Sequence, residues 1–177
     1  MPMIVATIGL VTVAFVWVMR MRNAATMAQE PAGVAEEVIS AARRLGFRRR
    51  QNSHPVDCVD DPKLATAALA IAFLELGGLP SPDQHDALLA ALQRRCDLGL
   101  KDAEEMLILG RWLVTESRGP APAVTRLCRR LAKIDRAGGF TPLMAVLNDT
   151  ARAGRGGIVS ERQKDALDEI ARAFKAS

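Results

Sequence analysis

Apolar residues recur along this chain at spacings of three and four, segment after segment, with turn-forming residues between them. Val34, Val38, Ile39, Ala42 and Leu45 predict a helix that Gly46 ends. Asp61 followed by Pro62 reads as an N-cap with proline at the first helical position. The segment from there to Leu76 is so nearly apolar all round, through Leu64, Ala68, Ile71 and Ala72, that it predicts the central helix of a bundle. Ser81 caps a helix over 82–98, with Leu88, Leu89, Leu92 and Cys96 inward. Helices over 102–117, 121–137 and 141–153 follow, and a glycine-rich connection, Gly154 to Gly157, leads to a last one ending near Ala176. No segment alternates at period two for long enough to be a strand. The fold class expected is an all-α helical bundle.

One phrase occurs twice. Gly77-Gly78-Leu79-Pro80-Ser81 with Gln84, Asp86, Ala87 and Leu88 returns as Gly156-Gly157-Ile158-Val159-Ser160 with Gln163, Asp165, Ala166 and Leu167. Each copy stops one helix on glycines that can enter positive φ and starts the next on a serine cap. The glutamine three residues after the serine has capping-box spacing. An internal duplication is expected, with Gly77, Gly78, Ser81, Gln84 and Asp86 matched by Gly156, Gly157, Ser160, Gln163 and Asp165. The two aspartates would cap or brace the turns, the alternative being to bind a cation.

Ahead of the bundle, residues 1–19 carry no charge and are mostly aliphatic. At 1.5 Å per residue the run reaches roughly 28 Å, about one hydrocarbon core. Arg20 and Arg22 follow it and none precedes it, which argues against a signal peptide and places the rest of the chain on the cytoplasmic side of an inner membrane. Residues 1–22 are read as a transmembrane anchor, 23–61 as a juxtamembrane helix and basic linker, and 62–177 as the bundle. Arg43, Arg44, Arg48, Arg49 and Arg50 crowd behind the anchor and are candidates for contact with anionic headgroups. The alternative is a loop that neutralises itself against Asp57, Asp60 and Asp61.

Composition narrows the chemistry. Aromatics are 4% against 49% hydrophobic residues, a core for close-packed helices. Cys58, Cys96 and Cys128 are odd in number and form no CxxC pair, so neither a disulfide framework nor a zinc knuckle is indicated. A net charge of +4 is mildly basic. The face carrying Arg126, Arg129, Arg130, Lys133 and Arg136 lacks the interleaved aromatics of a nucleic-acid surface and reads as a solvated outer face. His85 is placed on a helix surface. His54 and Cys58, four apart with Pro55 between, make a poor metal pair, and Glu104 and Glu105 are read as first-turn acids. No catalytic grouping, phosphate loop or HExxH motif is present, so no enzyme activity, catalytic residue or cofactor is expected.

The glycine turn, the hydrophobic residue after it and the capping serine, repeated in two halves of an all-helical domain, resemble the TerB-like family. It includes the tellurite-resistance protein TerB and the N-terminal region of membrane-anchored DjlA co-chaperones. Gly78-Leu79 with Ser81 and Gly157-Ile158 with Ser160 carry the resemblance. Where the family pattern has Asp before the turn glycine and Glu on the next helix, this chain has Gly77 and Gly156, and Gln84 and Gln163. The acids that would hold a cation are thereby replaced by neutral groups, so no metal is expected. The His-Pro-Asp of a J domain is interrupted by Val56, and a J domain is not expected. The resemblance implies a membrane-anchored, non-enzymatic scaffold or adaptor in tellurite resistance or an envelope stress response. Its partners would be membrane lipids and a protein, with no nucleic acid and no small-molecule substrate. The alternative is a metal-responsive sensor at the membrane.

Overall fold

The computed structural model describes residues 31–154 and 157–175. The uncharged run and Arg20 and Arg22 lie outside the described residues, as does Gly156. Seven α-helices and one short 3-10 turn make up the described chain, and no strand occurs among the described residues. The helices are α1 (Pro31–Arg44), α2 (Pro62–Leu76), α3 (Pro82–Cys96), α4 (Leu100–Glu116), α5 (Pro120–Ile134), α6 (Phe140–Arg152) and α7 (Glu161–Lys175), with the 3-10 turn at Pro55–Cys58. Among the described residues no helix is long and apolar enough to cross a membrane.

The expected starts and stops are built largely from local hydrogen bonds. The Asp61 carboxylate accepts the Lys63 amide at 2.8 Å, with Pro62 at the first position of α2. Three helices end earlier at the C-terminus than their apolar spacing suggests, because a polar residue takes over the chain. Asp97 turns into the left-handed region (φ 50°) and stops α3 at Cys96. Asp135 leaves helical geometry, accepts the Gly138 amide on its side chain at 2.8 Å, and stops α5 at Ile134. Glu116 is the last residue of α4, and Ser117, Arg118 (φ 65°) and Gly119 (φ 114°) make the turn into α5.

Every residue from Leu64 to Leu74 is buried, so α2 is the central helix. It packs against α4 and α5 along its length and also meets α6 and α7. Its alanines let neighbours approach closely. A Cβ on Gly110 of α4 would sit 3.1 Å from the Ala68 Cα, and this spacing holds α4 against α2. α3 lies along α6, and α5 along α7.

Residues 38–61 belong to the bundle rather than to a separate linker. Val38 onward forms one compact unit, and Ala41, Val56 and Val59 are core residues. Phe47 meets Trp112 of α4 edge to face, with ring centroids 5.9 Å apart. His54 caps the 3-10 turn, its Nδ1 accepting the Val56 amide at 3.3 Å.

The arginine cluster of this segment is divided. Arg44 pairs with Glu105, which is 6% exposed. Glu105 is therefore a buried partner of α1 and not a solvated first-turn acid. Arg50 reaches Asp60 at 3.8 Å, and Arg43, Arg48 and Arg49 remain exposed. On α5, Arg130 does not face outward with its neighbours. It donates through Nε to the Val59 carbonyl at 2.6 Å and pairs with Asp60, clamping the 3-10 turn to α5.

Candidate functional site

Both copies of the repeated phrase form the capping box their spacing predicts. In the first, the Gln84 amide donates to Ser81 Oγ at 3.2 Å, and the Ser81 amide donates to Gln84 Oε1 at 3.1 Å. In the second, Gln163 and Ser160 make the same pair at 3.3 and 3.0 Å. The two turns lie side by side and each closes on the other. Gln163 crosses to the first copy, where Nε2 donates to the Phe73 carbonyl at 3.0 Å and the amide lies over Gly77. Gln84 crosses to the second and lies over Gly154.

That crossing explains the glycines. A Cβ on Gly77 would stand 2.8 Å from Gln163 Nε2, and one on Gly154 2.7 Å from Gln84 Nε2, so both positions are kept bare by a side chain of the other copy. Gly77 is itself helical (φ −77°), and positive φ falls to the next glycine of each turn, Gly78 (121°) and Gly157 (70°). Gly154 is thus the positional counterpart of Gly77. Each donates its amide to a carbonyl three residues back, Gly77 to Leu74 at 3.0 Å and Gly154 to Ala151 at 3.1 Å. Constant spacing pairs Gly77 with Gly156 instead. The second turn carries two extra residues between its bare glycine and its left-handed one.

Between the turns lies a crevice of about 550 Å³. Leu74, Ala151, the glycines and the two glutamines line it, and none of the described residues that line it is charged. Leu79 and Ile158 form its rim at equivalent places, 96% and 86% exposed. An exposed aliphatic side chain is ordinary singly and informative only where several adjoin, and spacing alone assigns these two no role beyond following a glycine. Asp86 and Asp165 do not brace the turns. Both are exposed, and neither makes a hydrogen bond or ion pair. Among the described residues no group of three or more His, Cys, Asp and Glu side chains is placed to hold a metal ion.

The halves are joined a second time between α3 and α6. Arg95 of α3 holds Asp149 of α6 in a forked pair, Nε to Oδ2 at 3.0 Å and NH2 to Oδ1 at 3.3 Å, and Arg94 adds a contact at 3.5 Å. Hydrogen bonding from Arg95 holds the Asp149 carboxyl below its ordinary range, with charge attraction from both arginines adding to it.

The thiols are buried and free. Burial pushes the Cys128 thiol up to about 11, with the nearby Glu169 charge acting in the same direction. Burial also raises Cys96. Neither is a nucleophile at neutral pH. No protein-family model matches the chain, and no curated protein or solved structure matches it.

Proposed function

We propose that the chain is a membrane-tethered adaptor whose working surface is the crevice between the twin turns, taking a neutral, aliphatic segment of a partner protein. One observation carries this reading. Leu79 and Ile158 stand almost fully exposed at the rim of a groove whose described lining residues carry no charge and whose bare glycines the two glutamines cover. An aliphatic side chain entering between them would remove both from water, at about 25 cal/mol for each Å² covered. The described residues that line the groove offer neither a charge to attract an ionic ligand nor an acid-base pair to perform a reaction. The uncharged run at 1–19 with Arg20 and Arg22 behind it supports the tether. Tellurite resistance or an envelope stress response is the setting the TerB-like resemblance implies.

A photoreactive residue at position 79, in the full chain in membranes, tests the adaptor surface. It should give a discrete protein adduct that the distant rim change Ile158→Asp removes. A probe at the exposed Asp168 of α7 should give none. An adduct that survives Ile158→Asp, or equal yields at 79 and 168, would show that the crevice is not the contact.

A further inference from the structure

We propose that the outer face of α5 is a docking surface for an anionic membrane, and that it lays the bundle on the bilayer. Arg126, Arg129 and Lys133 follow one another at three and four residues and so form one stripe along the helix. The stripe is a ridge between two open grooves. Arg172 of α7 enters the groove on one side and Arg50 of the loop the groove on the other. Each groove lining includes one carboxylate, Glu169 in the first and Asp57 in the second.

The clustering of unpaired cations marks this face. Elsewhere Arg44 is matched with Glu105 and Arg95 with Asp149, and at the edge of this face Arg130 and Arg50 share Asp60. Arg126, Arg129, Lys133 and Arg172 are exposed and make no hydrogen bond or ion pair. Four clustered cations outnumber the two carboxylates that line the grooves and repel one another in the free protein, and a surface of opposite sign relieves that repulsion. A bilayer fits better than a nucleic acid. Among the described residues the aromatic contacts are Phe47 with Trp112 and Phe140 with Phe174, and none of these rings lines either groove to stack a base. The choice of lipid over nucleic acid also rests on the tether reading, since a tethered bundle meets the bilayer at high local concentration.

The full chain is placed in nanodiscs of phosphatidylcholine alone, or of phosphatidylcholine with about one quarter phosphatidylserine, and acylation of lysines is followed residue by residue. Lys133 should react several-fold more slowly in the anionic discs, and salt at about 1 M, where the Debye length is about 3 Å, should restore its rate. Lys101, exposed on α4, should react alike in both discs. Each basic residue near an anionic surface adds roughly a five-fold gain in affinity, so R126Q with R129Q, two substitutions of exposed side chains, should remove the protection. Equal Lys133 rates in the two discs, or protection that ignores salt, overturns the proposal. Protection in neutral discs by a short DNA duplex, without any from phosphatidylserine, replaces the membrane by a nucleic acid. Failure of the chain to enter discs of either composition defeats the tether reading instead. The α5 face is then judged from the same lysine after vesicles of the two compositions are added to the free chain.

Discussion

Gln163 donates from Nε2 to the carbonyl of Phe73, ninety residues earlier, at 3.0 Å, while its Oε1 accepts the Ser160 amide at 3.0 Å. One end of the side chain must give a hydrogen bond and the other receive one, which an amide can do and a carboxylate cannot. The glutamine that stands where the TerB-like pattern has glutamate is therefore matched to its surroundings. A glutamate at 163 would aim an unpaired, 6% exposed carboxylate at a backbone carbonyl.

Gln163→Glu should accordingly destabilise the bundle by about 1–3 kcal/mol, the cost of leaving buried polar groups unpaired. Gln84→Glu should cost less, because Gln84 is only half-buried and makes no bond matching the one from Gln163 to Phe73. Burial would raise the new carboxyl above its unfolded value of about 4.3. The protonated form then favours the fold, so the deficit should be small below that pH and grow as pH rises through the folded pKa. Urea unfolding of both variants at acidic and neutral pH checks this, and equal costs for the two would refute the crossing as described.

The serines offer a calibration. Ser81→Ala and Ser160→Ala should each lower stability by about 1 kcal/mol, the usual worth of an N-cap. Their effects should not add independently, since the turns share a crevice. A double-mutant cycle by denaturant unfolding measures the coupling, and strict additivity would count against an interlock.

Local chemistry was the legible part of this fold. Asp61 with Pro62, Ser81 with Gln84 and Ser160 with Gln163 are each complete within four residues, and the structure builds all three. The central place of α2 could also be read, because a helix apolar on every side has to be surrounded. Long-range partners could not. Nothing in the spacing of Gly77 shows that Gln163 will lie on it, and two extra residues in the second turn conceal that its true counterpart is Gly154. The pairing of Arg44 with Glu105 was hidden in the same way, since each looks like a surface charge on its own helix. The uncharged segment and Gly156 lie outside the described residues.

The Asp149 clamp predicts an acid limb to stability. Its carboxyl lies below the unfolded value in the fold, so its contribution is present at neutral pH and is lost as pH falls through the folded pKa. Asp149→Asn should be less stable than the parent at neutral pH, with the gap closing in strong acid. A gap independent of pH, followed by thermal melts across the acid range, would mean that packing rather than charge holds α3 to α6.

Close packing of α4 on α2 predicts the effect of filling Gly110. With Ile71 Cδ1 at 3.0 Å and the Ala68 backbone at 3.1 and 3.2 Å from a Cβ there, Gly110→Val has to push two helices apart and should cost about 1–3 kcal/mol. The better helix propensity of the new residue recovers only a few tenths of that. A variant as stable as the parent in urea would mean that α4 is free to move off α2.

Membrane topology can be read with thiols, provided the burial of the native ones is respected. Cys58, Cys96 and Cys128 are all buried, and with Cys128 raised to about 11 even a permeant reagent should modify it slowly in the folded protein. The unfolded thiol ionises first, so the stabilising effect of this group is full below about pH 8.5 and is lost as pH climbs toward the folded value. A cysteine introduced in place of the exposed Asp83 has no such protection. With arginines following the uncharged run and none before it, Asp83→Cys in sealed cells should resist a membrane-impermeant maleimide and react once the membrane is opened. Rapid labelling of the introduced thiol in sealed cells would put the bundle on the opposite side of the membrane.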